Sequence, residues 1–393
     1  YAALYSYWLL GAARRRRPRC RKDFAELDFL NRERFPYSLE YEEASVAPSD
    51  ARFVLEWVLP RPFQQDEQVA LNYCNFQNAH YDRAAREWRL EIADSILQAE
   101  TTATAKWIVN AAGTWTDCLN RRLNIESPYK HAFGKGVFIG IKRPPGHFSS
   151  LMIETRERDG CLALIPWGPV ALWGPTETRV ADAKEGFSVE PEDVRFLLRQ
   201  LNRHLARPVS IEEIVSLRCG VRPIVVNRSF SETRHTAGVP REYRVHRDGA
   251  RPWISVYGGK LTSSILLAES VAALLRDCPP SKVKSPNSTA FDQSPPSPEL
   301  KSFPGLDEKI PSARWCAEKE MCWNLEDYLR RRTNVSQWIG RGGLGFQNEN
   351  SEYLAGLAAV FQPAGDETGA KAAARAYEQK IRREFDRVLA SAA

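Results

Sequence analysis

Apolar and polar positions alternate with two different periods along this chain, and each period predicts its own type of element. Short apolar or alternating runs, which are typical of strands, occur at 87–92, 107–109, 135–144, 161–167, 170–177 and 253–257. Apolar residues at helical spacing predict an amphipathic helix at 189–204 and a second helix that begins after residue 261. In the second helix the predicted apolar face comprises Ile265, Leu266, Ala268, Val271, Ala272 and Leu275. Strands interleaved with helices predict a mixed fold, α/β with α+β character.

The pattern changes near residue 279 and divides the chain into three parts. Residues 279–313 are rich in proline, serine and lysine and show no periodicity, which predicts a linker. Helical patterns return at 315–332 and 370–389. We therefore expect a large core at 1–278, a linker at 279–313 and a C-terminal helical domain at 314–393.

The overall composition argues against several classes of protein. The net charge of +6 and the pI near 8.8 suit an anionic substrate but fall well short of a nucleic-acid-binding signature. The cysteines form no C-x-x-C pair and the six histidines are dispersed, so no metal site is expected. No apolar run reaches about 18 residues, so no membrane-spanning helix is expected.

The stretch RPWISVYGGKLTSS (251–264) joins a short apolar strand to a helix through a glycine turn. Thr262, Ser263 and Ser264 occupy positions where side-chain oxygens cap the first N–H groups of a helix. The Gly258-Gly259 turn lets a ligand approach bare backbone, where free N–H groups attract an anion or an electron-rich ring edge. An ordinary strand-turn-helix corner fits the same residues.

The stretch KWIVNAAGTWTDCL (106–119) has a similar organisation, with a short apolar strand and the small-residue turn Ala111-Ala112-Gly113. Small side chains at a strand end let a cofactor come close to the backbone. Many α/β folds contain such a turn, so the signal is weak alone. Together with the glycine turn at 258–259 it is considerably more specific.

These stretches resemble the FAD-dependent glycerol-3-phosphate dehydrogenases of the D-amino-acid-oxidase-like flavoprotein superfamily. SVYGGKLT (255–262) resembles the family's S-V-[FY]-G-G-K-L-T, and NAAGTW (110–115) resembles N-A-[TA]-G-x-W. RCGVRP (218–223) and PREY (240–243) resemble [YW]-[SA]-G-[VL]-R-P and [TS]-R-[DE]-[YH]. NLEDYLRRRT (324–333) resembles a further family motif, so the resemblance covers most of 1–275 and returns at 315–340.

The resemblance implies a fold and an activity. The fold is a FAD-binding Rossmann-like domain interwoven with an antiparallel-sheet substrate domain, followed by a C-terminal helical domain. The activity, part of glycerol metabolism, is oxidation of sn-glycerol 3-phosphate to dihydroxyacetone phosphate. A hydride passes from carbon 2 to the FAD, and the electrons pass on to quinone or oxygen.

The resemblance also implies roles for individual residues. Arg222 and Arg241 are the implied ligands of the substrate phosphate, and a guanidinium suits this role because it forks onto two phosphate oxygens. Lys260 is the implied catalytic residue at the flavin edge, where a cation stabilises the reduced anionic ring. The implied cofactor-binding residues are Ala112, Gly113, Trp115, Gly258, Gly259, Lys260, Leu261 and Thr262.

Three positions depart from the family pattern. Phe138 replaces a histidine, Pro175 a threonine and Glu177 an aspartate, all in the substrate half. The exact substrate therefore stays open. One alternative is a related FAD-dependent amine or amino-acid oxidase that binds a carboxylate, and another is a non-catalytic, truncated paralogue that acts as an interaction module.

The family begins with a strand, a G-x-G-x-x-G turn and a helix that together carry the FAD pyrophosphate. The only match to that spelling, GRGGLG at 340–345, follows an arginine-rich helix rather than a strand, so we assign it no cofactor role. The resemblance thus implies a chain that lacks the N-terminal dinucleotide-binding segment and has an incomplete FAD-binding domain. We expect residues 1–393 alone not to retain FAD or turn over glycerol 3-phosphate.

The apolar run 1–13 predicts a helix, and the basic run from Arg14 to Lys22 follows it. A helix-loop segment of a longer protein fits this pattern, and so does an amphipathic helix on a membrane surface. We expect a cytoplasmic protein, with peripheral association on the inner face of the membrane as the open alternative. Oligomeric state and electron acceptor are not encoded in any recognisable motif.

Overall fold

The structure is a computed structural model, and it describes residues 2–11, 15–22, 24–43, 49–59, 69–155, 160–230, 239–275 and 298–393. Residues 276–297, which include most of the predicted linker, and Arg14 of the predicted basic run lie outside the described residues.

Strands outnumber helices in the described chain before residue 260, as the short apolar runs predict. The strands are β1 Arg19–Arg21, β2 Ser38–Glu40, β3 Cys74–Asp82, β4 Glu87–Asp94, β5 Ala99–Ala105, β6 Ile108–Asn110, β7 Tyr129–Lys142, β8 Leu151–Glu154, β9 Cys161–Trp167, β10 Val170–Gly174, β11 Thr178–Val180, β12 Ile214–Asn227, β13 Tyr243–Arg247, β14 Trp253–Gly258, β15 Leu300–Lys301 and β16 Ile310–Pro311.

Helices separate these strands and dominate the C-terminal part. The α-helices are α1 Ala2–Leu10, α2 Asp50–Val58, α3 Thr116–Arg122, α4 Pro191–Asn202, α5 Ser264–Leu274, α6 Ala313–Lys319, α7 Val335–Trp338, α8 Ser351–Ala359, α9 Glu367–Ile381 and α10 Arg387–Ala392. Asp327–Arg332 and Arg382–Asp386 are π-helical. The predicted helix at 315–332 is therefore two segments. Among the described residues, no helix is long and apolar enough to cross a lipid bilayer.

The largest sheet is antiparallel throughout and is built around β7. β12 pairs along one edge of β7, while β10 and β11 pair along the other edge, and β9 and β8 extend the sheet beyond β10. Helix α4 packs its apolar stripe on this sheet, with Val194, Leu197 and Leu201 almost completely buried. The predicted strands and the predicted amphipathic helix of this region are confirmed, although β7 begins earlier, at Tyr129.

A smaller sheet has the order β13-β14-β6, in which β13 and β14 are antiparallel and β14 and β6 are parallel. Helix α5 follows β14, as predicted. Its predicted apolar face, however, is not buried by the described residues, and Ile265 and Leu266 are 57% and 59% exposed. The predicted capping is also wrong, because the hydroxyl of Ser263 bonds to the backbone of Lys260 instead of a helix N–H.

The remaining units pack on these two sheets. The β3-β4-β5 meander contacts the smaller sheet through Trp88, whose ring centroid lies 5.6 Å from that of Trp253. The C-terminal helices form their own apolar cluster, and Phe303 and Ile310 belong to it although they lie in the predicted linker. The division into three domains stays a prediction. The mixed helix-and-sheet class with antiparallel sheets and C-terminal helices is confirmed.

Candidate functional site

Two arginines that are distant in sequence meet on one carboxylate at the edge of the large sheet. The Nη1 atom of Arg222, in β12, lies 3.1 Å from Oε2 of Glu177, and Nη2 of Arg241, just before β13, lies 3.5 Å from the same oxygen. Glu177 follows β10 and its side chain is only 13% exposed, whereas that of Arg241 is 48% exposed. We call these three residues the arginine pair with Glu177.

The position of Arg222 depends on a glycine in the neighbouring strand. A Cβ atom at Gly136 of β7 would lie 2.6 Å from both terminal nitrogens of the Arg222 guanidinium, so only glycine leaves room for that group. Burial lowers the pKa of Arg222, and the carboxylate of Glu177 opposes this shift. The guanidinium nevertheless stays charged at neutral pH because an arginine starts from a pKa above 12. A partly buried, pre-positioned cation results.

Two polar groups near Arg222 in β7 and β12 are already committed to structural contacts. Lys135 donates to the carboxylate of Asp193 at 2.7 Å, on the face that packs on α4. The thiol of Cys219 lies 3.0 Å from the carbonyl oxygen of Gly186, and burial raises its pKa to about 11. Cys219 is therefore a protonated thiol at neutral pH and not a nucleophile.

The turn at 110–113 has one open side. Asn110 holds it together: its amide nitrogen donates to the carbonyl of Thr116 at 3.1 Å, and its amide oxygen accepts from the N–H of Ala112 at 3.3 Å. Gly113 has φ +58°, and apart from the glycine and its two chain neighbours no atom of the described chain lies within 4 Å of the place where a Cβ would stand. A ligand can therefore approach this backbone, as the small residues predict.

In the turn at 258–259, the N–H groups have partners within the chain, whereas the sequence suggests that they are free for a ligand. The N–H of Gly258 donates to the ring of His131 at 3.1 Å, and the N–H of Gly259 donates to the carbonyl of Glu242 at 2.8 Å. Both glycines have positive φ, and a Cβ at Gly258 would lie 2.6 Å from the carbonyl oxygen of Glu242. These two residues need to be glycine because of the chain's own backbone, and their N–H groups are not free for a ligand.

Lys260 and Trp115 lie on the outside of the two turns. The side chain of Lys260 is exposed and makes no ion pair with the described residues. Trp115 is 49% exposed and stacks on Phe187, with ring centroids 5.9 Å apart and planes 17° from parallel. Phe187 precedes α4, so this stack joins the turn at 110–115 to the segment that leads into α4.

Strand β12 brings these features together. It carries Arg222 near its middle, the 3₁₀ turn Gly113–Trp115 lies alongside it, and the side chain of Val225 would contact a Cβ at Gly258 at 3.0 Å. The structure thus places both turns and the arginine pair along one strand, which no sequence pattern indicates.

The sequence analysis missed a set of buried polar residues behind the turns. Asn120 of α3 contacts the indole nitrogen of Trp253 and the hydroxyls of Ser255 and Tyr257 at 2.7–3.0 Å. Burial raises the pKa of Tyr257, so its hydroxyl is neutral. The one available signal was a serine inside the otherwise apolar strand WISVY, because a buried hydroxyl requires a partner.

The chain is similar to known proteins at the levels of family, sequence and structure. The profile of the family described as "FAD dependent oxidoreductase" matches residues 9–274, which is more than half of the chain. An aerobic glycerol-3-phosphate dehydrogenase of Escherichia coli K12 is 27% identical over 187 residues, and one of Staphylococcus aureus USA300 is 25% identical over 242 residues.

These alignments cover 46% and 61% of this chain but 36% and 41% of the two relatives, so the matched part spans less than half the length of either relative. Among solved structures, the glycerol-3-phosphate dehydrogenase of Bacillus halodurans complexed with FAD matches with a TM-score of 0.68 at 18% identity. That match covers 93% of this chain and 78% of the other, and at this identity it shows a shared fold.

Proposed function

The chain belongs to the family of FAD-dependent oxidoreductases, and on that premise we propose that the whole protein oxidises sn-glycerol 3-phosphate to dihydroxyacetone phosphate. The names of the two bacterial relatives support this choice of substrate. FAD is the proposed hydride acceptor, and quinone or oxygen is the proposed final electron acceptor.

The observation that carries the proposal is the pair of arginines that converge on one point. Arg222 and Arg241 both reach the same oxygen of Glu177, so an anion in that position would receive donors from two sides. Guanidinium groups bind phosphate oxygens in this way, and each charge-assisted hydrogen bond contributes roughly 1.5–3 kcal/mol. In the free site Glu177 neutralises part of this charge, so the incoming phosphate competes with it.

The residues around the two turns fit a flavin. The space beside Gly113 is open, and a planar ring can approach backbone there without meeting a side chain. When bound, the flavin supplies the acceptor for the hydride. We propose that Ala112, Gly113, Trp115, Leu261 and Thr262 contact it, while Gly258 and Gly259 shape the second turn.

Each of the chain's own groups has a defined task in this proposal. The arginine pair binds the phosphate and so orients the remainder of the substrate towards the turns beside β12. Lys260 is an exposed cation at the end of the glycine turn at 258–260, and it stabilises negative charge at the cofactor edge. Trp115, stacked on Phe187, limits the access of water from the substrate side.

A second candidate is oxidation of an amine or amino acid, with the substrate carboxylate in place of the phosphate. One observation favours it: Glu177 leaves the arginine pair with a single net positive charge, which balances a monoanion better than a phosphate dianion. Both candidate reactions belong to the same family and use the same cofactor, so the choice of substrate depends on Arg222, Arg241 and Glu177.

We also propose that the protein is cytoplasmic and touches the membrane surface through α1. Leu9 and Leu10 of this helix are 55% and 88% exposed, and the arginines at 15–17 that follow it are exposed as well. Apolar side chains beside arginines match an interface with anionic lipid headgroups. Flotation with vesicles that contain about one third anionic lipid tests this, with neutral vesicles as the control.

Binding of glycerol 3-phosphate to the purified chain tests the arginine pair without requiring bound flavin. Titration calorimetry should show binding that weakens by about 10- to 100-fold in Arg222→Lys, because lysine cannot form the two-pronged contact. Arg244→Gln is the matched control, since Arg244 is as exposed as Arg241 but pairs with Glu242 instead. Equal weakening in the control would contradict the assignment.

Turnover tests the reaction itself. With FAD bound to the whole protein and oxygen excluded, glycerol 3-phosphate should bleach the oxidised flavin band near roughly 450 nm, and glycerol should do so far less efficiently because it lacks the phosphate. Bleaching by an amino acid and not by glycerol 3-phosphate would favour the second candidate. Retained flavin that no substrate reduces would favour a non-catalytic paralogue.

A further inference from the structure

A buried histidine connects the two turns of the candidate site, and neither the sequence motifs nor the proposed mechanism uses it. His131 lies in β7, and its side chain is completely buried. Its Nδ1 atom is 2.9 Å from Oδ2 of Asp117, and its backbone N–H donates to the same oxygen, also at 2.9 Å. On the other side of the ring, Nε2 accepts the N–H of Gly258 at 3.1 Å.

These contacts determine which ring nitrogen carries the proton. A backbone N–H is always a donor, so Nε2 must offer its lone pair to Gly258. The proton of a neutral ring is then on Nδ1, where it donates to the carboxylate of Asp117. The ring also packs against Tyr257, with centroids 5.1 Å apart, which restricts its rotation.

The two partners of His131 belong to the two different turns. Asp117 lies in α3, which directly continues the turn at 110–115, and Gly258 begins the turn at 258–260. His131 itself comes from the large sheet, the one that carries the arginine pair. One imidazole therefore joins the substrate-side sheet to both turns.

We propose that His131, oriented by Asp117, is a positioning residue that sets the glycine turn at 258–260 relative to the turn at 110–113. The identity of the ligand between them rests on the proposed function. By holding the N–H of Gly258, the ring keeps the turn in its left-handed conformation and leaves the later N–H groups, at Leu261 and Thr262, to face the cofactor. An ordinary core histidine would contribute packing alone.

Three substitutions separate positioning from packing. Gln places an acceptor near Nε2, so His131→Gln keeps the contact with Gly258. Asn places a donor near Nδ1, so His131→Asn keeps the contact with Asp117 alone. His131→Phe keeps a ring that packs on Tyr257 but loses the two hydrogen bonds of the ring nitrogens, to Asp117 and to Gly258.

The first measurement uses the ligand-free chain. A long-range spectrum of the ¹⁵N-histidine-labelled protein should show His131 as the neutral Nδ1–H form. Hydrogen exchange at Gly258 should be about tenfold faster in His131→Phe and His131→Asn than in the wild type, and nearly unchanged in His131→Gln. An Nε2–H form in the wild type, or equal exchange in Gln and Asn variants, would overturn the proposal even if His131→Phe fails to fold.

The second measurement tests whether the hydrogen bonds of His131 affect binding of the cofactor. In the whole protein, the Kd for FAD should rise about tenfold in His131→Asn and less than threefold in His131→Gln. Equal Kd values in the two variants would overturn the positioning role. A wild-type protein that binds no FAD but shows the predicted tautomer and exchange pattern would instead contradict the proposed function and leave the link between the turns established.

Discussion

Helices α4 and α5 start from similar sequence patterns and end in opposite surroundings. Helix α4 buries Val194, Leu197 and Leu201 on the large sheet, while no residue of α5 is buried by the described chain. Helix α5 is the more apolar of the two, and a helix that is apolar on most sides is normally buried. Periodicity therefore predicts both helices correctly but does not predict how much of either is covered.

The two helices also begin differently. Helix α4 has Pro191 in its first turn and a reciprocal cap, in which Glu190 and Asp193 each accept a backbone N–H of the other. Asp193 is also paired with the buried Lys135 of β7. Within the part of the chain that the structure describes, helix α5 has no side-chain cap. Contacts to a neighbouring strand thus anchor α4 twice, at its end and along its face.

The largest effect that distinguishes the helices should come from Asp193→Ala. We expect a loss of about 3–5 kcal/mol in the free energy of unfolding, because Lys135 would be left buried without its partner and the cap would be lost. Urea unfolding followed by circular dichroism measures this. Glu192→Ala, which removes an exposed carboxylate of the same turn, is the control. A loss below about 1 kcal/mol would mean that the anchoring is weak.

Leu197→Ala should cost about 2–5 kcal/mol, since the side chain is fully buried between α4 and the sheet. The matched change in the other helix is Leu266→Ala, which should change the free energy of unfolding by no more than about 0.5 kcal/mol because that side chain is 59% exposed. A comparable loss for both leucines would show that something covers α5 in solution.

Acid should weaken the half of the molecule that contains α4. Burial is the main factor that lowers the pKa of His147 and His204, and nearby Arg34 and Arg203 add to the effect at His204. Unfolding therefore takes up protons, so stability is complete above a pH of about 6.5 and declines as pH falls below it towards the lowered values. His147→Phe should reduce the decline below a pH of about 6.5, whereas His80→Gln, at an exposed site, should not.

The smallest effect should come from Ser263→Ala at the start of α5. Because, among the described residues, the hydroxyl bonds only to the backbone of Lys260, we expect a loss of no more than about 0.5 kcal/mol. Ser49→Ala is the matched comparison, because Ser49 caps α2 by accepting the N–H of Arg52 at 3.1 Å. That change should cost about 1 kcal/mol. Equal losses would mean that Ser263 caps α5 after all.

Much of the candidate site could be predicted from residue types and short motifs. The small-residue turn at 110–113 was predicted from its own residues, and the two arginines were implied by the resemblance to the family. Their roles as ligands stay predictions. The capping by Ser263 and the free N–H groups of Gly258 and Gly259 were predicted wrongly. Local sequence shows that a group can donate or accept a hydrogen bond, but the partner it meets depends on another part of the chain.

By itself, the sequence determined several strands of the two sheets, helices α4 and α5, the mixed fold class and the family, because these depend on local side-chain spacing and on short motifs. Only the tertiary structure decided that Glu177 lies between Arg222 and Arg241, and that α5 is left uncovered by the described residues. It also decided that His131 reaches Gly258, 127 residues away. Burial and hydrogen-bond partners are properties of neighbours in space, and no local period encodes which distant strand becomes a neighbour.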